Sequence, residues 1–285
     1  MLRARRKRRE SPRTKGMTVA RLIPNMITIA STCAGLTGIR YALDERWEFA
    51  VAAIIVAAVL DALDGRMARL LRATSDFGAQ LDSLSDFVAF GVCPALILWL
   101  WGLSDLGGPG WWIALFFAVC CGLRLARFNS RLDKLPPYAY NYFQGVPAPM
   151  GAAICLMPLA LGFVLGDANA VPSWAAAAWG VATALLMVSE VPTFSFKKFK
   201  LAPRLILPFM VAVGIALAGL ASNPWFTLLS IGVLYLATLP VAVVRFSKLR
   251  EEAMRLQDIE EQEAKSEAQA ESAGDVTPLR GAKNQ

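Results

Sequence analysis

Between Val51 and Phe90 the chain reads VAAIIVAAVLDALDGRMARLLRATSDFGAQLDSLSDFVAF, an apolar stretch interrupted by charge. Asp61 and Asp64 close one apolar helix, and Asp82 and Asp86 open the next. Their spacing is helical: Asp61 and Asp64 lie three apart, and Gly65 and Arg69 continue the Asp61 stripe in steps of four. Gly78, Asp82 and Asp86 form a second stripe in steps of four. A short loop makes the two helices antiparallel neighbours, with Gly65 and Gly78 expected to allow close backbone approach. Ser75 or Asp76 is the natural N-cap of the second helix. Four carboxylates then converge. An all-oxygen donor set suits magnesium, manganese or calcium rather than zinc. Two divalent ions would neutralise the cluster and could clamp a diphosphate.

Other chemistry is excluded by what the chain lacks. No histidine occurs among its 285 residues. That removes Ser-His and Cys-His nucleophiles and imidazole metal ligands, so acid–base work falls to carboxylates, Lys, Tyr or Cys. Cys33, Cys93, Cys120, Cys121 and Cys155 lie in apolar stretches without metal-ligand spacing and read as small buried hydrophobes rather than disulfides.

The elements that must hold the carboxylates belong to a membrane protein. Apolar residues make up 56% of the chain and charged ones 18%, below the quarter or so usual for soluble domains. The hydropathy pattern predicts an all-α bundle of about eight transmembrane helices, near 22–43, 47–70, 80–103, 110–127, 145–166, 171–190, 205–222 and 225–245. The uncharged run Leu205–Val244 divides at Ser222-Asn223-Pro224 into a helical hairpin. A charge at mid-membrane costs about 2.5–3.5 kcal/mol, so carboxylates kept there imply a task.

Lys and Arg fall in alternating loops. The basic arm from Arg3 to Arg21, the loops holding Arg69 and Arg72, Arg124 to Lys134, and Lys197 to Arg204, and the tail at Arg245 to Arg250 share one side. The opposite loops hold only Arg40 and Arg46, which predicts that both termini are cytoplasmic. The arm reads as a topology signal with some attraction to anionic lipid, not as a nucleic-acid surface. The expected organisation is a basic arm over 1–21, a transmembrane catalytic region over 22–245 and a polar, partly disordered tail over 246–285. Residues 251–270 of that tail have the composition of a surface helix.

The residues spell Asp61-x2-Asp64-Gly65-x2-Ala68-Arg69-x8-Gly78-x3-Asp82-x3-Asp86, which resembles the signature of the CDP-alcohol phosphotransferase family at every fixed position. The resemblance implies a homodimeric helical membrane enzyme that displaces CMP from a CDP-alcohol at a cytoplasm-facing site. It also implies that Asp61, Asp64 and Asp82 bind magnesium or manganese, and that Asp86 binds metal or takes the proton of the attacking hydroxyl. Gly65 and Arg69, with Gly78, would contact the CDP-lipid. The opening Pro24-Asn25-Met26-Ile27-Thr28 is similar to the family's Pro-Asn-x-x-Thr, making Asn25 and Thr28 further candidates for nucleotide or phosphate contact, though Asn25 serves equally well as a cap or packing group.

Arg124-Leu125-Ala126-Arg127-Phe128-Asn129 and Phe143-Gln144-Gly145-Val146-Pro147-Ala148-Pro149 resemble bacterial membrane-type phosphatidylserine synthases, with Val146 in place of the usual Leu. The resemblance implies CDP-diacylglycerol and L-serine as substrates and a bacterial inner membrane as location. Serine carries a carboxylate, so Arg124 and Arg127 are acceptor-site candidates, with topology charge or phosphate contact as the alternative. Phosphatidylglycerophosphate or phosphatidylcholine synthesis uses the same chemistry on another acceptor. A cation or proton transporter would also carry intramembrane carboxylates, but the sequence offers neither an inverted repeat nor a broken helix.

Overall fold

A computed structural model describes residues 19–131, 142–167, 170–194 and 203–245, together with Ser247 and Arg255. The expectations for the basic arm before Val19, for Lys134, for Lys197 to Lys200 and for the tail helix over 251–270 lie outside the described residues, Arg255 excepted. The chain divides into two compact units. One comprises residues 1–126 and 148–187, the other 127–147 and 188–285.

The first unit is helical. It contains α1 (Val19–Leu43), α2 (Trp47–Leu70), α3 (Asp76–Asp86), α4 (Cys93–Trp101), most of α5 (Gly108–Arg131), α6 (Ala148–Cys155), α7 (Met157–Leu165) and α8 (Ser173–Val188). Helix α1 is the element the others gather on: it packs along α2 and against α3 and α4. Small residues allow this. A Cβ on Gly38 would stand 3.1 Å from the Ala50 carbonyl, and one on Gly35 would stand 3.0 Å from the Ala89 Cα. Close approach at small residues is how membrane helices gain packing energy without a hydrophobic driving force. Ala50, Ala57, Phe90, Ile97, Phe117, Ile154 and Leu159 fill the interior.

Helices α3 and α4 form one continuous rod, Asp76–Trp101, joined by a π-helical stretch at Phe87–Val92. Its cause is Pro94. Proline has no N–H to return to the carbonyl four residues back, so an α-ladder cannot pass through it unaltered. The wide turn begins directly after Asp86, and such single-turn π-bulges recur at functional sites.

The expected span at 145–166 is a bent pair, α6 and α7, meeting at Leu156 with an angle of 40°. Pro158 occupies the first turn of α7, where a missing N–H costs nothing. A broken helix is therefore present after all, contrary to the sequence reading. Gly166 ends α7 with φ of +70°, the left-handed conformation favoured after a helix C-terminus.

The second unit holds a feature outside an all-α description. Strands β1 (Tyr142–Gln144) and β2 (Pro192–Phe194) form an antiparallel ribbon with Phe143 opposite Thr193. Helices α9 (Pro203–Ser222) and α10 (Pro224–Arg245) follow, divided at Asn223 where the hairpin break was expected.

Among the described residues four helices are long and apolar enough to cross a membrane: Leu22–Leu43, Asp76–Trp101, Gly108–Ser130 and Pro224–Arg245. The bent α6–α7 pair makes a fifth if it counts as one span. Helix α2 has the length but carries Glu48, Asp61, Asp64, Arg66 and Arg69, and α8 has 16 residues. Large apolar side chains lie exposed along these helices, among them Met26, Val119, Leu123, Leu185 and Leu234. Apolar surface on that scale belongs in lipid. The protein is a helical membrane protein. Cys33 is exposed on α1, unlike the other four cysteines, which are buried as expected.

Candidate active site

The site is built within the first unit, where the ends of α1, α2 and α3 meet. Helix α3 begins as the sequence suggests. Ser75 is its N-cap, in extended conformation, and its Oγ accepts the Gly78 N–H at 3.1 Å. This start directs Gly78, Asp82 and Asp86 along one face. Helix α2 runs on past its carboxylates to Leu70, so Asp61, Asp64, Gly65 and Arg69 all ride on regular helix.

One oxygen from each of Asp61, Asp64 and Asp82 lies within 4.8 Å of the others, which is the separation a shared cation can bridge. Asp64 is buried, while Asp61 and Asp82 are half-buried. Asp86 stands behind this triad. Its carboxyl comes within hydrogen-bonding range of that of Asp61, its Oδ1 is buried with no hydrogen-bond partner, and the Arg124 charge acts on it. The all-oxygen donor set, the converging triad and the unpartnered oxygen together fit a divalent cation such as magnesium or manganese.

Beside the triad opens a cavity of about 200 Å³ lined by Asn25, Thr28, Asp64, Gly65, Arg69, Ser75, Gly78 and Asp82, among others. Every residue read as a CDP-lipid contact is on that wall. Three have roles that the sequence alone did not specify. Thr28 Oγ1 donates to Asp64 Oδ2 at 2.6 Å, so it holds a carboxylate of the triad in place. Asn25 lies within α1 rather than capping it, and its Oδ1 is 3.1 Å from where a Cβ on Gly78 would stand. Gly65 has only Arg69 Nη1, at 3.8 Å, near its own would-be Cβ.

That geometry corrects one expectation. Gly65 and Gly78 do not bring α2 and α3 together. Gly78 makes room for α1, Gly65 leaves space in the cavity, and α2 and α3 meet chiefly through α1. Hydroxyls that the sequence reading passed over mediate this: Ser31 Oγ donates to the Ala57 carbonyl at 2.8 Å, and Ser85 Oγ to the Thr28 carbonyl at 3.1 Å. Their signal was available in the sequence, as polar residues one turn from Thr28 and between Asp82 and Asp86.

Of the two acceptor-site candidates, Arg124 is buried near Asp86 in the first unit. Arg127 belongs to the second unit, where its Nη1 donates to the Val188 carbonyl at 2.7 Å.

Comparison with known proteins shows the family. The CDP-alcohol phosphatidyltransferase pattern matches residues 21–189, and a second pattern, CDP-alcohol phosphatidyltransferase 2, matches residues 204–240. A CDP-diacylglycerol–serine O-phosphatidyltransferase of Mycobacterium tuberculosis is 38% identical over 234 residues, covering 81% of this chain and 82% of its own. The Helicobacter pylori (strain 26695) protein of the same name is 34% identical over 63% of this chain and 74% of its own. That of Bacillus subtilis is 40% identical over 48% of this chain and 74% of its own. The first pattern spans more than half the chain and includes every aspartate of the site, and the chain belongs to the CDP-alcohol phosphatidyltransferase family.

Proposed function

We propose that this enzyme transfers the phosphatidyl group of CDP-diacylglycerol to L-serine, forming phosphatidylserine and CMP. The observation that carries the reading is the convergence of Asp61, Asp64 and Asp82 beside a cavity walled by Arg69 and Asn25, in a chain whose relatives bear that name.

Asp61, Asp64 and Asp82 would hold magnesium or manganese, two ions in all, with Asp86 as a further ligand or as the base. A bound divalent cation would supply Lewis acidity toward the diphosphate and neutralise charge on the departing CMP. The chain's own residues do the rest. Arg69 offers a planar guanidinium suited to a phosphate, from the same helix face as Asp61. Asn25, Thr28, Gly65 and Gly78 form the wall along which the CDP-lipid lies, and the missing side chain of Gly65 leaves it room. Asp86 accepts the proton of the serine hydroxyl, since no histidine exists to do so. The serine oxygen bonds to the phosphorus that carries diacylglycerol, the bond from that phosphorus to the bridging oxygen breaks, and CMP leaves with its electron pair. No covalent enzyme intermediate is required. Arg124, near Asp86, is the first choice to face the serine carboxylate, with Arg127 as the second.

The same reading extends to topology. Eight crossings over residues 22–245, with both termini cytoplasmic in a bacterial inner membrane, follow from the basic loops. In this arrangement α2 crosses despite its charges because its carboxylates are gathered at the site. A homodimer is the assembly the family resemblance implies.

Purified protein given CDP-diacylglycerol with one chiral thiophosphate at the lipid phosphorus tests the reaction. Phosphatidylserine and CMP in equal amounts, with inversion at phosphorus, are expected. Retention would replace direct displacement by a covalent intermediate, and CMP release without phosphatidylserine would overturn the acceptor.

A further inference from the structure

The four aspartates ride on α2 and α3, which meet chiefly through α1, so something on α1 must set the distance between the two pairs. At that contact α1 presents Thr28, Ser31 and Thr32. Most hydroxyls among the described residues bond back to their own helix, as Thr37 does to Cys33, Ser83 to Ala79 and Thr183 to Trp179. Ser85 does not. It is buried on α3 between Asp82 and Asp86, and its Oγ reaches across to α1, 3.1 Å from the Thr28 carbonyl and 2.7 Å from Thr32 Oγ1.

Each hydroxyl has one proton to give, so the three share the acceptors around them. Thr32 Oγ1 also lies 3.3 Å from the Thr28 carbonyl, so one of the two hydroxyls donates to that carbonyl while the other donates across the 2.7 Å contact, and either order ties α3 to α1. Thr28 Oγ1 lies 3.0 Å from the Pro24 carbonyl and 2.6 Å from Asp64 Oδ2, and the shorter contact, to the carboxylate, is the stronger of the two. The sequence of contacts then runs from Thr32 to Ser85, from Ser85 to the Thr28 backbone, and from the Thr28 side chain to Asp64. One residue thus meets α3 at its carbonyl and holds the carboxylate of α2 on its hydroxyl.

We infer that Thr32 and Ser85 are positioning residues that set the separation of Asp82 and Asp86 from Asp61 and Asp64, and with it the cation affinity of the site. The inference rests on the cation-binding role proposed above. It concerns hydroxyls that belong neither to the cavity wall nor to the aspartate triad. Close packing lies beside them, with Gly35 against Ala89 one turn further on, so the test must separate hydroxyl from packing.

The test is Mn²⁺ binding to the purified protein in detergent, without substrate, followed by electron paramagnetic resonance. Thr32→Val keeps the side-chain shape and removes the hydroxyl, Thr32→Ser keeps the hydroxyl, and Ser85→Ala breaks the contact from the other side. Thr32→Val and Ser85→Ala should each weaken Mn²⁺ binding about fivefold, the net contribution of one hydrogen bond. Both should lower kcat and leave the KM for serine unchanged, while Thr32→Ser should bind as the parent does. Unaltered Mn²⁺ affinity in Thr32→Val, or in Ser85→Ala should Thr32→Val fail to fold, would overturn the inference. So would equal weakening in Thr32→Ser and Thr32→Val, which would assign the effect to packing. Asp82→Asn should lose Mn²⁺ binding, and if it binds as the parent does, the cation site itself is wrong and the inference falls with it.

Discussion

Thr28 on α1 donates its hydroxyl to Asp64 on α2 at 2.6 Å, so a residue read from the sequence as a substrate contact is also a support for the acidic triad. Hydrogen bonds to ionised groups contribute about 1.5–3 kcal/mol. Thr28→Val should therefore lower activity at limiting Mn²⁺ by about 10- to 100-fold, the range seen for outer-shell partners of metal ligands. Raising Mn²⁺ should restore part of the loss. Activity titrated against Mn²⁺ measures this, and a curve coincident with the parent's would contradict the supporting role.

The two glycines of the motif should fail differently. Gly78→Ala would place a methyl group 3.1 Å from Asn25 Oδ1 and 3.2 Å from Ser75 Oγ, straining the α1–α3 contact and the helix cap. It should lower thermal stability in detergent as well as activity, by about 1–3 kcal/mol as overpacking usually does. Gly65→Ala meets nothing closer than Arg69 Nη1 at 3.8 Å, so stability should hold while the KM for CDP-diacylglycerol rises. Melting curves and kinetics on the same preparations separate the two. Equal loss of stability in both would contradict the assignment of Gly65 to the cavity wall.

Much of this site was legible in the sequence, for a physical reason. Carboxylates in apolar helices are costly, so Asp61, Asp64, Asp82 and Asp86 stand out, and helical spacing alone puts each pair on a common face. Ser75 as N-cap and the break at Asn223 were legible likewise, since capping and helix breaking are local chemistry. What remained hidden depends on partners distant in the chain. The Ser85 contact spans 57 residues and the Thr28–Asp64 contact 36, and no periodicity announces either. The π-bulge and the bend at Leu156 follow from Pro94 and Pro158, which hydropathy averaging passes over.

Arg69→Lys keeps the charge and loses the planar fork that matches a phosphate. The KM for CDP-diacylglycerol should rise about tenfold, equivalent to roughly 1.4 kcal/mol, while the KM for serine stays near the parent value. Steady-state kinetics with each substrate varied in turn provides the check. A rise confined to serine would move Arg69 to the acceptor side.

The proposed eight-crossing topology would put the turn between α4 and α5 outside the cell. A Cβ on Gly108 would meet nothing within 4 Å, so Gly108→Cys in a chain lacking its five native cysteines should label from the exterior. An impermeant maleimide applied to intact cells makes the test. Labelling only after the membrane is opened would reverse the orientation.

In the proposed reaction one site, built from Asp61, Asp64, Asp82 and Asp86, passes phosphatidyl from CDP-diacylglycerol to serine. CMP release measured on purified protein with L-serine, glycerol 3-phosphate, inositol and choline supplied in turn tests it most directly. Release is expected with serine alone, dependent on Mg²⁺ or Mn²⁺ and abolished by Asp→Asn at each of the four positions. Release with glycerol 3-phosphate and not with serine, or full activity in a chelator, would contradict it.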